Sequence, residues 1–338
     1  MKRLFSIVTI ACVLLAEHAT AQLVPNLGGQ RTGISAFQFL KIGAGARAVA
    51  MGEAFVAVAN DASALFWNPA GVVDLPANQV IASHTAYVVD ISHEFFGITY
   101  KLDEGQAVGL SFAALHMDDM EITTETQPFG TGRFFSFGDV AIGATYSNKM
   151  TEQFSFGATI RYAEETLDVL KMRSVMIDLG TLYWTGLGSA RFAVTISNFG
   201  ADVKPKGQVT LAGGGTLNDF QSFSLPTMFK LGIAMEAIED ENNRLTTSVQ
   251  LNHPNDNAEH FRVGFEYAFR NTFFLRGGIK RTIGQKLLGR DETSPEDFTL
   301  GAGVAVELSN LTRVSADYAF ARFGDLGAIH RFSLLFTY

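Results

Sequence analysis

From about residue 78 onward, hydrophobicity repeats every second residue. In "FSFGATIRY", Phe154, Phe156, Ala158, Ile160 and Tyr162 fall on one face of an extended chain, with Ser155, Gly157, Thr159 and Arg161 on the other. "FRVGFEYAF" sets Phe261, Val263, Phe265, Tyr267 and Phe269 against Arg262, Gly264, Glu266 and Ala268, and "VSADYAF" sets Val314, Ala316, Tyr318 and Phe320 against Ser315 and Asp317. Successive side chains of a strand point to opposite faces, so this period, with aromatic and β-branched residues on one face, predicts strands. Fourteen such runs follow one another, at about 78–89, 92–102, 105–116, 133–147, 153–163, 172–184, 189–199, 225–237, 243–253, 258–269, 272–282, 296–307, 310–321 and 328–338. A run of about eleven residues, rising ~3.3 Å each and tilted by ~40–45°, covers roughly 25 Å of membrane normal. That is the height of the apolar band of an outer-membrane barrel.

The connections point the same way. Those after the even-numbered runs are short: "DEG", "NKMTE", "TGLG", "EDEN", "RN" and "SN". Those after the odd-numbered runs are mostly longer, notably 117–132, 200–224 and 283–295. Short turns on one side and long loops on the other are the membrane-barrel pattern, and an even strand count returns both chain ends to one side. The run "HRFSLLFTY" turns Phe332, Leu334, Phe336 and Tyr338 to one face and ends on an aromatic, which resembles the signal read by the outer-membrane assembly machinery. Apolar residues make up 47% of the chain, with 29 Phe and 33 Gly, yet beyond the first twenty-odd residues no apolar stretch reaches the length of a membrane helix. The expected fold is therefore all-β, a fourteen-stranded antiparallel transmembrane outer-membrane barrel.

The start of the chain bears on compartment. Lys2 and Arg3 precede an apolar run to about Ala16, and Ala19-Thr20-Ala21 supplies a small-x-small site, so residues 1–21 are expected to be a signal peptide cleaved after Ala21. The single cysteine, Cys12, lies within it, so the mature chain is expected to carry no disulfide, zinc-thiolate site or cysteine nucleophile. Losing Lys2, Arg3 and Glu17 leaves 26 − 2 = 24 basic and 34 − 1 = 33 acidic residues, a net charge of −9. Nucleic acid, which is bound by basic surface, is not an expected partner.

Alternation places Arg161, Arg262, Glu266, Arg276, Lys280, Arg313, Asp317 and Arg331 on the inward face. Charges of both signs there fit either an ordinary polar lumen or a lumen that holds an inserted segment. Residues 22–77 are long enough to supply one. Within them, "GARAVAMGEAFVAVANDASALFWNPAG" (45–71) lacks the third Gly and the preceding strand of a dinucleotide fingerprint, and lacks the Gly-Lys-Ser/Thr of a phosphate loop. Its many glycines and alanines permit close backbone packing, and Asn60-Asp61 and Asn68-Pro69 mark turns around Leu65, Phe66 and Trp67. Those three side chains either line an apolar path or pack the segment against the wall. A compact hatch or plug over 22–77, followed by the barrel over 78–338, is the expected organisation.

These residues also carry a resemblance. "FLKIGAGARAVAMGEAFVAVANDASALFWNPAG" closely resembles the N-terminal signature of the PorV/PorQ family, a branch of the FadL-like outer-membrane proteins. The pattern runs in order through Gly45-Ala46-Arg47, Met51-Gly52-Glu53-Ala54-Phe55, Asn60-Asp61 and Trp67-Asn68-Pro69-Ala70-Gly71. The resemblance implies a fourteen-stranded barrel with an N-terminal hatch. PorV-type members belong to the type IX secretion system. They accept exported cargo through its C-terminal signal domain and pass it to a sortase-containing attachment complex, working beside the translocon. More distant FadL-like relatives pass small hydrophobic molecules across the outer membrane, and the Asn-Pro-Ala segment marks the hatch in both.

Candidate contact residues lie in the long connections. "QPFGTGRFFSF" (127–137) presents Phe129, Phe134 and Phe135, suited either to the lipid and lipopolysaccharide interface, as aromatic girdles are, or to docking a protein. Residues 200–224 combine Lys204 and Lys206 with "LAGGGTLNDFQSF", which includes Phe220 and Phe223, in a segment expected to be flexible enough to close over the mouth. "HMDDMEITTE" (116–125) reads as a solvated acidic loop, or alternatively as a cation site built from oxygen ligands. Ser83-His84 and Asp90…Ser92-His93 supply the residue types of a hydrolytic triad without a nucleophile motif. No catalytic residue and no cofactor is expected.

Overall fold

The computed structural model describes residues 34–211, 214–282, 298–309 and 312–338. The expected signal peptide and the connection 283–295 lie outside these residues. Barrel strands are β1 (Gln79–Ala86), β2 (Ser92–Lys101), β3 (Gln106–His116), β6 (Phe137–Lys149), β7 (Phe154–Leu167), β8 (Leu170–Trp184) and β9 (Arg191–Phe199), then β12 (Met228–Glu239), β13 (Asn243–Pro254), β14 (His260–Phe269), β15 (Phe273–Thr282), β16 (Phe298–Ser309), β17 (Thr312–Arg322) and β18 (Ala328–Thr337). Two small ribbons sit in the long connections: β4 (Met120–Glu121) with β5 (Phe134–Phe135), and β10 (Val209–Thr210) with β11 (Thr216–Leu217). Among the described residues fourteen strands form one closed antiparallel barrel, in which β1 pairs with β18 from Gln79 opposite Thr337 to Ala86 opposite His330. Closure leaves no unpaired strand edge, which is what lipid demands of a β structure.

Alternation decides the two faces. Along β7, Ser155, Gly157, Thr159 and Arg161 are buried, while Phe156 and Ile160 point out, the latter 62% exposed. Leu110, Leu275 and Leu334 are likewise more than half exposed. An apolar belt of this extent would drive aggregation in water and is at home in hydrocarbon.

Two local differences from the alternation reading have clear causes. The strands β7 and β8 continue to a two-residue turn at 168–169, where a longer loop was expected. Their extra outward positions are charged: Glu164 pairs with Arg173 at 2.7 Å and with Lys171 at 3.1 Å. A reading that follows apolar residues stops where the strand leaves the apolar belt. The run expected to begin at 133 instead begins at Phe137, because Phe134 and Phe135 pair across their own loop with Met120 and Glu121.

The turns at the other end are tight and self-capped. Asp240 accepts the backbone N–H groups of Asn242 and Asn243, and these hydrogen bonds hold its carboxyl below the usual carboxylate range.

The hydrophobic core is built largely from residues 36–75, which precede the first strand. This segment folds into short pieces, the helices Ala46–Ala50 and Ala64–Trp67 and the 3-10 turns Gln38–Lys41 and Pro69–Val72. It runs the height of the barrel. Ser35 bridges to Ser224 at the long-loop end, while at the short-turn end Val73 donates to Ser147 Oγ and Tyr338 donates to the Asn78 carbonyl.

Candidate functional site: the lumen and its mouth

The wall makes room for the segment with glycines. A Cβ on Gly157 would lie 2.3 Å from the Pro69 carbonyl carbon, one on Gly180 2.1 Å from Asn68 Oδ1, and one on Gly278 2.1 Å from the Gly52 nitrogen. On β14, a Cβ at Gly264 would meet the Met51 oxygen at 2.2 Å. Three strands, at Gly157, Gly264 and Gly278, therefore approach the segment backbone, and a fourth, at Gly180, approaches the Asn68 and Pro69 side chains, more closely than any residue with a side chain allows. Leu65 fills the space left by Gly97 and Gly109.

Hydrogen bonds then fix the register. Short helices leave many N–H groups without an intrahelical acceptor, and wall side chains take them. Gln250 Oε1 accepts from Phe55 and Val56 at 2.9 and 3.0 Å, Thr299 Oγ1 from Gly52 at 3.0 Å, and Ser333 Oγ from Ala46 at 3.1 Å. Gly52 adopts φ +64°, the left-handed region that favours glycine. Asn68 is fully buried; its Nδ2 donates to the Val56 carbonyl at 2.9 Å and to the Thr181 carbonyl of β8 at 3.1 Å, and its Oδ1 accepts from Ala70. That last bond caps the turn that Pro69 begins, and Gly71 lies against Ala59, where a Cβ would meet the Ala59 oxygen at 2.1 Å. Trp67 Nε1 donates to the Ala44 carbonyl, with its ring edge-on to Phe66 at 5.0 Å. Gly45 (φ +80°) leads into the helix Ala46–Ala50.

Charge lines both halves of the lumen, and in the inner, short-turn half it forms one connected cluster. Arg47 binds Glu266 through Nε and Nη2, at 2.7 and 2.8 Å, and through Nη1 reaches Asp61 Oδ2 at 2.8 Å and Asn60 Oδ1 at 2.7 Å. Glu266 accepts from Arg276 at 2.6 Å, and Arg276 reaches Asp317 at 2.6 Å. Fork-to-carboxylate pairs of this kind are the strong ones. Higher up, Arg262 pairs with Glu53 of the segment, and Arg161 pairs with Asp178 at 2.7 Å and donates to Asn198. Lys230 lies over the rings of Phe66 and Trp67 at 5.8 and 5.5 Å. Arg331 donates to Thr85 Oγ1 at 2.7 Å, Arg313 donates to the Asn271 carbonyl at the inner rim, and Lys280 lies high on β15.

Two cavities flank the segment and share no lining residue. The outer one, about 470 Å³, is bounded by Phe39, Ile42, Leu115, Phe137, Phe298 and Phe323, with Lys41, Asp139, Glu165, Lys280 and Arg331 among its polar groups. The inner one, about 580 Å³, is lined by Arg47, Asp61, Arg191, Glu236, Arg244, Arg276, Arg313 and Asp317. At the outer end the segment is tied by Lys41, 2.5 Å from Asp256 in the connection 255–259. Burial pushes the Asp256 carboxyl up, but bonds from Lys41 and Gln38 outweigh it and hold it below the usual carboxylate range.

At the mouth, Phe129 is 98% exposed and Phe134 59%. Phe135 is half-buried, and Lys204 and Lys206 are exposed. The connection 200–227 is pinned at several points. Val203 pairs with Phe223, Lys206 with Lys171, and Ser224 with Ser35. Phe220 is half-buried, and Phe223 packs against the core. Among the described residues no group of three or more His, Asp or Glu is arranged to hold a metal, and the acidic stretch 116–125 lies mostly open to solvent. His84 pairs with Glu94 on the outside, whereas Ser83 and His93 are buried inside, so alternation separates the neighbouring Ser and His.

The sequence reading missed Glu53 as the partner of Arg262, and missed Gln250, Asp178, Arg191 and Lys230. Each strand member of this set sits at an inward position, so alternation was the available signal. No motif marks these residues.

The sequence profile of the family described as type IX secretion system protein PorV matches residues 27–254, about two thirds of the chain. No curated protein matches. Several solved structures share the fold. The CymD monoaromatic hydrocarbon channel is 11% identical, with TM-score 0.57 over 87% of this chain and 96% of that one. A Pseudomonas aeruginosa FadL homologue is 14% identical, with TM-score 0.55 over 87% and 96%, and the Ralstonia pickettii toluene transporter TbuX 12%, with TM-score 0.55 over 87% and 97%. At such identities the likeness is one of fold, that of a FadL-like outer-membrane barrel. Together with the profile match, which takes in the whole segment from Gly45 to Gly71, this identifies the chain as a member of the PorV family.

Proposed function

We propose that this protein is the type IX component that binds the C-terminal signal domains of exported cargo and delivers them to the sortase-containing attachment complex at the cell surface. The family match over residues 27–254 carries this reading, because it takes in the lumenal segment and two of the long connections at the mouth. In this reading residues 1–21 direct export and are removed, residues 22–77 are a hatch, and residues 78–338 are the barrel that holds it. The close glycine contacts and the ion pairs of Arg47 suit a hatch that stays seated while work is done at the mouth. Phe129, Phe134, Phe135, Lys204, Lys206, Phe220 and Phe223 belong to the cargo-contact surface. Phe129 and Phe134 contribute exposed apolar area, and Phe223 anchors its loop. A cargo domain docks there by strand addition or through its side-chain pockets.

A second reading, passage of small hydrophobic molecules, is favoured by the outer cavity and its wall of aromatic and aliphatic side chains. The solved neighbours named for monoaromatic hydrocarbons and toluene share the fold. Passage then requires a path past the hatch, which the outer and inner cavities flank.

A mild-detergent pull-down from the native outer membrane, with proteins and lipids both analysed, separates the two. Secreted proteins sharing a C-terminal domain, recovered with a sortase-like partner, support the shuttle. A small hydrophobe recovered without them supports transport. Deleting 205–222 from a barrel that still folds should abolish cargo recovery, and unchanged recovery would remove that loop from the contact surface.

A further inference from the structure

The outer cavity contains an acidic feature that neither reading uses. Asp139 on β6 and Glu165 on β7 are direct cross-strand partners, and both line the cavity. Like charges placed opposite one another on a sheet repel. Asp139 is only 3% exposed, and its Oδ1 has no hydrogen-bond partner. Glu165 is partly engaged, since its Oε2 accepts the N–H of Phe37 at 2.5 Å.

The cations on the other walls have their own commitments. Lys41 is held by Asp256, and Arg331 donates to Thr85. Lys280 stands on β15, seven strands from β6 around a barrel of fourteen, and so on the opposite wall. Glu53, the remaining acid on the lining, is paired with Arg262. The carboxylate pair therefore forms an acidic pole on one side of a cavity whose other walls are largely aromatic and aliphatic.

We propose that the outer cavity binds a small amphipathic cation, a protonated amine carried on an apolar body, with its ammonium against Asp139 and Glu165. The ammonium donates to the carboxyl pair, and its positive charge favours the ionised form of both. The apolar body packs on Phe39, Phe137 and Phe323. An alcohol of the same shape supplies one donor and no charge. A carboxylate of the same shape supplies no donor and brings a negative charge against the carboxyl pair. The order of affinity is thus ammonium, then alcohol, then carboxylate, the opposite of what a site for free fatty acids would give.

The test uses the full chain in lipid nanodiscs at neutral pH with three probes that share a phenylethyl body: 2-phenylethylammonium, 2-phenylethanol and 3-phenylpropanoate. Titration calorimetry should find the ammonium bound at least tenfold more tightly than the alcohol, with the carboxylate weakest. Asp139→Asn should remove at least tenfold of the ammonium affinity and leave the alcohol unchanged, and Glu165→Gln should give a smaller loss. Equal affinities for the three probes in the unaltered protein would overturn the proposal, as would a preference for the carboxylate. So would an Asp139→Asn protein that keeps the full ammonium preference, since the pair would then be satisfied by a shared proton. The ranking in the unaltered protein stands whether or not the variants fold.

Discussion

The two ends of the lumen hold the same segment by different means. At the inner end Arg47 is clamped by Glu266, Asp61 and Asn60, and Glu266 is shared with Arg276. At the outer end the ties are more scattered, Lys41 and Gln38 with Asp256, Phe37 with Glu165, Ser35 with Ser224 and, deeper, Glu53 with Arg262, and several of them border an open cavity. Buried ion pairs of fixed geometry specify one arrangement and tolerate little change, because removing one partner strands the other without solvent. Apolar contact beside empty space tolerates much more. The comparison therefore predicts a segment anchored from below, whose upper part is the more easily altered.

The largest effect should come from the wall itself. Gly278→Val places a side chain where the Gly52 nitrogen sits, 2.1 Å from the Cβ, and no rotamer of valine relieves that overlap. The segment should fail to seat, and trypsin should cleave after Arg47 in a protein whose barrel still shows heat-modifiable migration. Continued protection of Arg47 would mean that the wall moves and the segment does not.

Next comes the anchor. Glu266→Ala leaves Arg47 and Arg276 without their shared carboxylate and should destabilise the seated segment by about 3–5 kcal/mol, the usual cost of breaking a buried pair. The measurement is the urea concentration at which Arg47 becomes accessible to trypsin. Asn68→Ala removes three hydrogen bonds and should lower the same midpoint by about 1–3 kcal/mol, since it leaves the Val56 and Thr181 carbonyls and the Ala70 N–H short of a partner.

At the outer end the effect should be smaller and dependent on pH. Asp256 titrates below the ordinary carboxylate value of about 3.9 when the segment is seated. A depressed carboxyl contributes its stability above the unfolded value and loses it as pH falls through the lower, folded one. Seating should therefore weaken below about pH 4, and Asp256→Asn should abolish that step while costing about 1 kcal/mol or less at neutral pH. A step of full size in Asp256→Asn would assign it to another carboxylate.

The same contrast explains what the sequence made visible. Strands, closure and the facing of each residue follow from a period of two, which lipid enforces on one side and packing on the other. Arg161, Arg262, Glu266 and Arg276 were placed inward by that period alone. Their partners were not legible, because pairing depends on where the segment lies against the wall and on strand register, and Glu53 with Arg262 or Arg47 with Glu266 lie some two hundred positions apart. Alternation placed wall glycines such as Gly157 and Gly264 on the inward face without saying why they are glycine. They are the seats of the segment, and only its backbone position reveals that Gly157, Gly180 and Gly278 serve the same purpose. The charged extension of β7 and β8 was lost for a simpler reason: beyond the apolar belt, alternation no longer separates apolar from polar.

The smallest effect on stability should be at the mouth, and it separates folding from binding. Phe129 is 98% exposed, whereas Phe223, in the other long connection, packs against the core. Phe129→Ser therefore removes no buried contact and should leave the urea midpoint within about 0.5 kcal/mol of the parent. If the mouth receives cargo, the same substitution should lower recovery of the C-terminal signal domain in the pull-down, because an apolar ring fully open to water gains most from being covered. Retained recovery with Phe129→Ser, but loss with the deletion of 205–222, would move the contact to the second connection. There the anchored Phe223 leaves Lys204 and Lys206, with Leu211 and Leu217, among the exposed groups available to a partner.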